Sequence, residues 1–230
     1  MDCFDGRMQI MYTSYMTMES KISKRTYESI YRLLDRVSPV DFDCGTLCGA
    51  ACCTCTFEPD DIEFHAEGDE NADHYMGLYL LPGEEQVFVT DPDAEDTDCD
   101  WIEWGCLMAE EYAFPDSWSG KVNFIQCRTA PICRRHKRPL QCRTFPLAPH
   151  IDEDGVFHMI LYCDELPYDC PLLSRNVLKC EDGDIVLNED FVQATYTAWR
   201  RILEDSLILD LVEMDSDHRI EDESEIIVVK

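Results

Sequence analysis

Five cysteines within twelve residues constrain this chain more than any other feature. They are Cys44, Cys48, Cys52, Cys53 and Cys55, in the run DCGTLCGAACCTCT at residues 43–56. Cysteine packs as a small hydrophobe, yet a core seldom asks for adjacent thiols among glycines and alanines. Crowded thiolates repel one another, and a soft cation or an iron–sulfur cluster relieves that repulsion. The run therefore reads as half of a metal site, with the remainder of the chain supplying the other half.

The spacing Cys44-x3-Cys48-x3-Cys52 would align three sulfurs on one helix face. Gly45 and Gly49 weaken a helix there, so a loop wrapped around a metal fits equally well. Cys53 would point away from the others in a regular element and could serve a second metal. Cys52 and Cys55 have the two-residue gap of a zinc knuckle, but no second CxxC follows, which argues against a simple zinc ribbon. Radical-SAM spacing is absent as well, because position 51 is alanine.

A second constellation, CRTAPICRRHKRPLQCRTFPL at residues 127–147, offers Cys127, Cys133 and Cys142. Between residues 117 and 151 there is no Asp or Glu, but seven Lys and Arg: the stretch is +7 and the rest is −36, giving −29. Four thiolates on Zn²⁺ or on a cluster leave a site near −2, which arginines nearby would offset. Arg134, Arg138 and Arg143 are the candidates for that role, or for binding an anionic ligand. Ordinary pairing with surface carboxylates is the plainer alternative. Pro139 and Pro146 stiffen the loop around Cys142.

A third group is Cys163 and Cys170. Cys170 precedes a proline on a loop and is the better ligand candidate; Cys163 reads equally well as a buried strand thiol. The metal set is therefore Cys44, Cys48, Cys52, Cys53, Cys127, Cys133, Cys142 and Cys170, with Cys163 in reserve. That suffices for one or two sites, and four thiolates suit zinc and iron–sulfur clusters alike.

A net charge of −29 argues against general binding to nucleic acid or anionic membranes. The start of the chain carries Asp2 and Asp5 and lacks the continuous apolar stretch of a signal peptide, and no segment has the length of a membrane span. A cytoplasmic location is expected, where fourteen cysteines point to metal rather than to a disulfide framework. A protein partner is not specified by the sequence.

Periodicity predicts helices over residues 23–37 and 189–212, and strands over 75–81, 86–90 and 156–163. Acidic loops are expected at 58–73 and 91–100. The expected fold is α+β: a small, irregular, metal-thiolate-centred domain with flanking helices and a short antiparallel sheet. Residues 1–22 are expected to be a leader, disordered or frayed, 23–214 a single cysteine-rich metal-binding domain, and 215–230 an acidic tail.

Cys44-Gly-Thr-Leu-Cys48-Gly-Ala-Ala-Cys52-Cys53, followed by Cys133 and by Arg138-Pro-Leu-Gln-Cys142-Arg143-Thr-Phe-Pro-Leu147, resembles the YkgJ-type CxxCxxCC family. The resemblance extends over residues 43–170. It implies a bacterial cytosolic protein that chelates zinc or iron or carries an iron–sulfur cluster, in a redox, carrier or structural role. It also leaves room for a protein-modifying, methylase-like enzyme dependent on a cluster, with the basic loop holding an anionic ligand. The chain departs from the family pattern in the longer gaps before Cys48 and Cys52 and in the additional Cys55.

Overall fold

The structure, a computed structural model, describes residues 20–54, 77–88, 101–128, 135–173 and 186–230. Cys55, Cys133, Arg134, most of the expected leader and both expected acidic loops lie outside these residues.

Helix α1 (Lys24–Leu34) buries Tyr27, Ile30, Tyr31 and Leu34, the i, i+3, i+4, i+7 stripe of an amphipathic helix. The Ser23 hydroxyl caps it by accepting from the Thr26 amide at 3.3 Å. The 189–212 stretch folds as two helices rather than one, α6 (Glu189–Ile202) and α7 (Ser206–Glu221). The break has a local cause. Asp205 is buried and its carboxylate accepts from the amides of Leu207 (3.0 Å) and Lys21 (2.6 Å) and from the Ser20 hydroxyl (3.0 Å). An aspartate holding those donors caps a new helix instead of continuing the old one.

Strands β2 (Ile102–Met108) and β3 (Lys121–Cys127) pair antiparallel, with Ile102 opposite Cys127 and Met108 opposite Lys121. Strand β1 (Gly77–Tyr79) lies on the other side of β3, giving the order β1–β3–β2. Gly77 must be glycine: a Cβ there would stand 2.0 Å from the Phe124 ring. Strands β4 (Leu147–Ile151) and β5 (Phe157–Leu161) form a separate hairpin. Asp152 organises its turn by accepting from the amides of Asp154 (3.1 Å) and Val156 (2.8 Å). Helices α6 and α7 pack on this hairpin and α1 packs on α6, burying Phe191, Ala198, Ile202, Ile208 and Leu211 with Met159 and Leu161. The molecule is thus α+β, with short antiparallel sheets flanked by helices.

Three further expectations need correction. The 86–90 stretch begins as a helical turn, α4 (Glu85–Phe88), although its alternating residues suggested a strand. The turn Leu81–Glu84 feeds directly into it, with the Glu84 amide donating to Leu81 O and the Val87 amide to Glu84 O. The boundary at 214/215 falls inside α7, and the last residues pair beside β5, where the Met159 amide donates to Lys230 O at 2.7 Å. Residues 20–22 pack onto the domain through Asp205 and the buried Ile22. Among the described residues no helix is long and apolar enough to cross a membrane.

Candidate metal centre

The cysteine run folds as two short helical turns, α2 (Gly45–Cys48) and α3 (Ala51–Thr54). The Asp43 carboxylate accepts from the Gly45 amide at 3.1 Å and starts the first turn. Gly49 and Ala50 are both left-handed (φ 65° and 59°), which reverses the chain between the turns. Such a conformation costs a non-glycine residue about 1 kcal/mol, and Ala50 bears it. The reversal replaces a straight helix of three sulfurs with a broken one. It also presents Cys52 and Cys53 side by side, their sulfurs 3.8 Å apart.

These turns close one side of a cavity of about 580 Å³. Cys44, Cys48, Cys52 and Cys53 line it from the run, Cys127 from the end of β3, Cys142 from helix α5 (Leu140–Thr144), and Cys170 from the loop after β5. Seven of the nine candidate thiols therefore converge on one space from four distant parts of the chain. Cys163, partly buried beside Asp164 and Arg219, is not among the lining residues. None of the nine described cysteines is in a disulfide.

The thiols sense one another. Burial first, and then the proximity of Cys48, Cys52 and Cys44, push the Cys170 thiol up to about 11; a backbone hydrogen bond from Leu172 works the other way. Burial also raises Cys44, opposed by the guanidinium groups of Arg138 and Arg135. Neighbouring thiols of this kind resist ionising together unless a cation shares their charge. The donor set is therefore chemically right for a soft metal. Its present spacing is looser: among the described residues no three His, Cys, Asp or Glu side chains stand close enough to grip a single ion. Ligation of one ion requires the turns to draw inward.

Helix α5 is fixed from beneath by a buried carboxylate. Glu84 is fully buried, and its Oε1 accepts from the Tyr31 hydroxyl (2.5 Å) and the Leu140 amide (2.6 Å), while Oε2 accepts from the Leu81 amide (3.0 Å). Burial raises its pKa, and those three donors hold it down. Arg143 stacks over the Tyr31 ring at 4.0 Å and spends its guanidinium on Arg138 O (2.5 Å), His136 O (2.5 Å) and the Asp35 carboxylate. It thus ties the basic loop to α1. Arg138, by contrast, lines the thiol cavity itself. Gln141 donates to Tyr79 O at 3.1 Å, joining α5 to β1.

Tyr79, Tyr162, Trp199 and Asp215 also line the cavity. Burial pushes Asp215 from the usual 3.8 up to about 6; Arg219 and His218 oppose the shift and Asp164 adds to it. The folded chain holds this proton to higher pH than the unfolded chain does. The group therefore stabilises the fold fully below pH 3.8 and gives that up as pH rises through about 6. Urea titrations of wild type and Asp215→Asn between pH 3.5 and about 7 should diverge by about 1–3 kcal/mol across that window, with the wild type losing ground as pH rises.

No protein-family model matches this chain, and neither does any curated protein or solved structure. The residues alone carry the functional argument.

Proposed function

We propose that this chain is a cysteine-rich metal-binding protein that holds zinc or an iron–sulfur cluster on thiolates in the 580 Å³ cavity, in a redox, carrier or structural role. The observation that carries this reading is the convergence of Cys44, Cys48, Cys52, Cys53, Cys127, Cys142 and Cys170 on one space. Hydrophobic packing does not require it, since a core fills with branched and aromatic side chains before thiols. Tetrahedral zinc draws its sulfurs to within about 4 Å of one another, as Cys52 and Cys53 already stand. A cluster, or two ions, accommodates seven donors around a larger space, and we favour these over a single zinc ion. Cys133, which precedes α5 in the sequence, is an eighth candidate.

In this reading Arg138 and Arg135 offset the negative charge of the loaded site, as they already do for Cys44. The alternative, a cluster-dependent protein-modifying enzyme with an anionic ligand on the basic loop, is less favoured, because the open groove that holds Arg135, His136 and Arg138 is lined also by Asp35, Asp41, Asp43, Glu189 and Asp190. Both readings share the metal centre. Alkylation with iodoacetamide followed by peptide mass spectrometry tests it. Metal-loaded protein should protect the seven lining thiols and leave exposed Cys106 reactive, and chelation should expose all of them. Equal labelling of lining thiols with and without chelator would contradict the reading.

A further inference from the structure

Cys52 and Cys53 hold their sulfurs 3.8 Å apart on the cavity lining, and Cys52 is exposed, so a small molecule can reach the pair. Among the described residues no three His, Cys, Asp or Glu side chains stand close enough to grip one ion. A centre that takes two protein sulfurs and brings its own third ligand therefore fits the site as it stands. Linear two-coordinate ions need their sulfurs on opposite sides, and structural Zn²⁺ needs four donors. Trivalent arsenic bearing one carbon substituent needs two sulfurs on the same side, because it is pyramidal and its third bond is to carbon. It is also soft, which suits thiolate ligands.

The cavity has room for that carbon substituent. Its volume of about 580 Å³ lies within the roughly 300–1,000 Å³ of small-molecule sites, far more than one ion occupies. Leu78, Tyr162, Leu166 and Tyr168 line it, and each is only half-buried, which leaves apolar surface uncovered in the same space as the thiols. Leu78 comes from β1, and Leu166 and Tyr168 from the loop that carries Cys170. An aromatic ring laid against these side chains would take that surface out of water, which favours binding in proportion to the area covered.

We propose that the cavity binds a trivalent organoarsenic compound with an aromatic substituent, its arsenic on Cys52 and Cys53 and its ring against Leu78, Tyr162, Leu166 and Tyr168. This ligand uses the thiol cavity of the proposed function, on which its assignment rests, and adds a second class of soft ligand to it. Binding is an exchange in which nothing is oxidised or reduced. Phenylarsonous acid loses its two hydroxyls as two waters, each taking the proton of one thiol. Two As–S bonds replace two As–O bonds, and the arsenic stays trivalent. A metal that shares either sulfur would be released.

Competition binding of phenylarsonous, methylarsonous and arsenous acids to the full chain, purified without oxygen, tests this. The synthetic peptide of residues 51–54, Ala-Cys-Cys-Thr, serves as the same dithiol without the cavity. The preference for phenyl over methyl should be at least about tenfold greater on the full chain than on the peptide. Peptide mass spectrometry should place one phenylarsenic group per chain on Cys52 and Cys53. Cys53→Ser should weaken binding of the phenyl compound by about a hundredfold, since one sulfur then acts without its neighbour. Leu166→Asn, on a half-buried loop side chain, should narrow the phenyl preference by about threefold or more. A phenyl preference no greater on the chain than on the peptide overturns the proposal, as does an adduct confined to other thiols. Arsenous acid that binds as tightly as the phenyl compound overturns it too, because three thiols would then grip the arsenic and the ring would add nothing. Metal content is measured on the same sample: retained metal without the phenyl preference sinks this inference alone, and the phenyl preference in protein that holds no metal supports it while sinking the metal reading.

Discussion

Glu84→Ala should cost about 3–5 kcal/mol of folding stability, most of what a domain of this size commonly has. The mutation orphans three buried donors at once: the Tyr31 hydroxyl and the amides of Leu81 and Leu140. It also removes a negative charge that Arg143, stacked on the same tyrosine, helps to balance. Tyr31→Phe removes one donor together with its hydrogen bond and should cost only about 1–2 kcal/mol. The two variants are compared by urea denaturation at neutral pH. The damage from Glu84→Ala should extend to the site, because the Leu140 amide opens the helix that carries Cys142. A loss below about 1 kcal/mol for Glu84→Ala would refute the structural role assigned to it.

The second large effect is expected at the thiols themselves. Cys142→Ser and Cys170→Ser should each weaken metal retention by more than the roughly 10–100-fold typical of changes one shell further out. Because an unfolded chain has no such site ready-made, lost metal is also lost folding free energy, so both variants should melt lower than the wild type. Cys106→Ser is the control. That cysteine is exposed on β2 and does not line the cavity, so its replacement should fall within about 0.5 kcal/mol of neutral. Melting curves with and without chelator would separate the cases. Identical chelator responses in Cys106→Ser, Cys142→Ser and Cys170→Ser would refute the ligand assignment.

The thiol wall was legible because cysteine is chemically particular: the dense spacing near residue 44 and the prolines around Cys142 singled out thiols that line one cavity. Helix α1 was legible from its stripe of Tyr27, Ile30, Tyr31 and Leu34. What escaped depends on burial, which sequence does not display. Glu84 and Glu85 look like one of many chance acidic pairs in a chain with 48 carboxylates, yet Glu84 is the buried anchor of α5. Asp205 broke a helix that periodicity carried straight through, because its side chain reaches back to Lys21, far away in sequence. Asp215 looked like the first residue of a solvated tail, and α7 carries it into the cavity wall. Strand β3 alternates weakly and carries Lys121 and Asn123 inside, so its pattern gave no strand signal.

Metal and acid-labile sulfide analysis, with an ultraviolet–visible spectrum, on protein purified without oxygen tests the central claim most directly. The account predicts tightly held metal in whole-number ratio to the chain. Iron with matching sulfide and a broad band near about 400 nm would identify a cluster, and a colourless sample with stoichiometric zinc would identify a zinc–thiolate site. Protein that carries neither, and that keeps its fold and melting temperature unchanged after chelation, would contradict it.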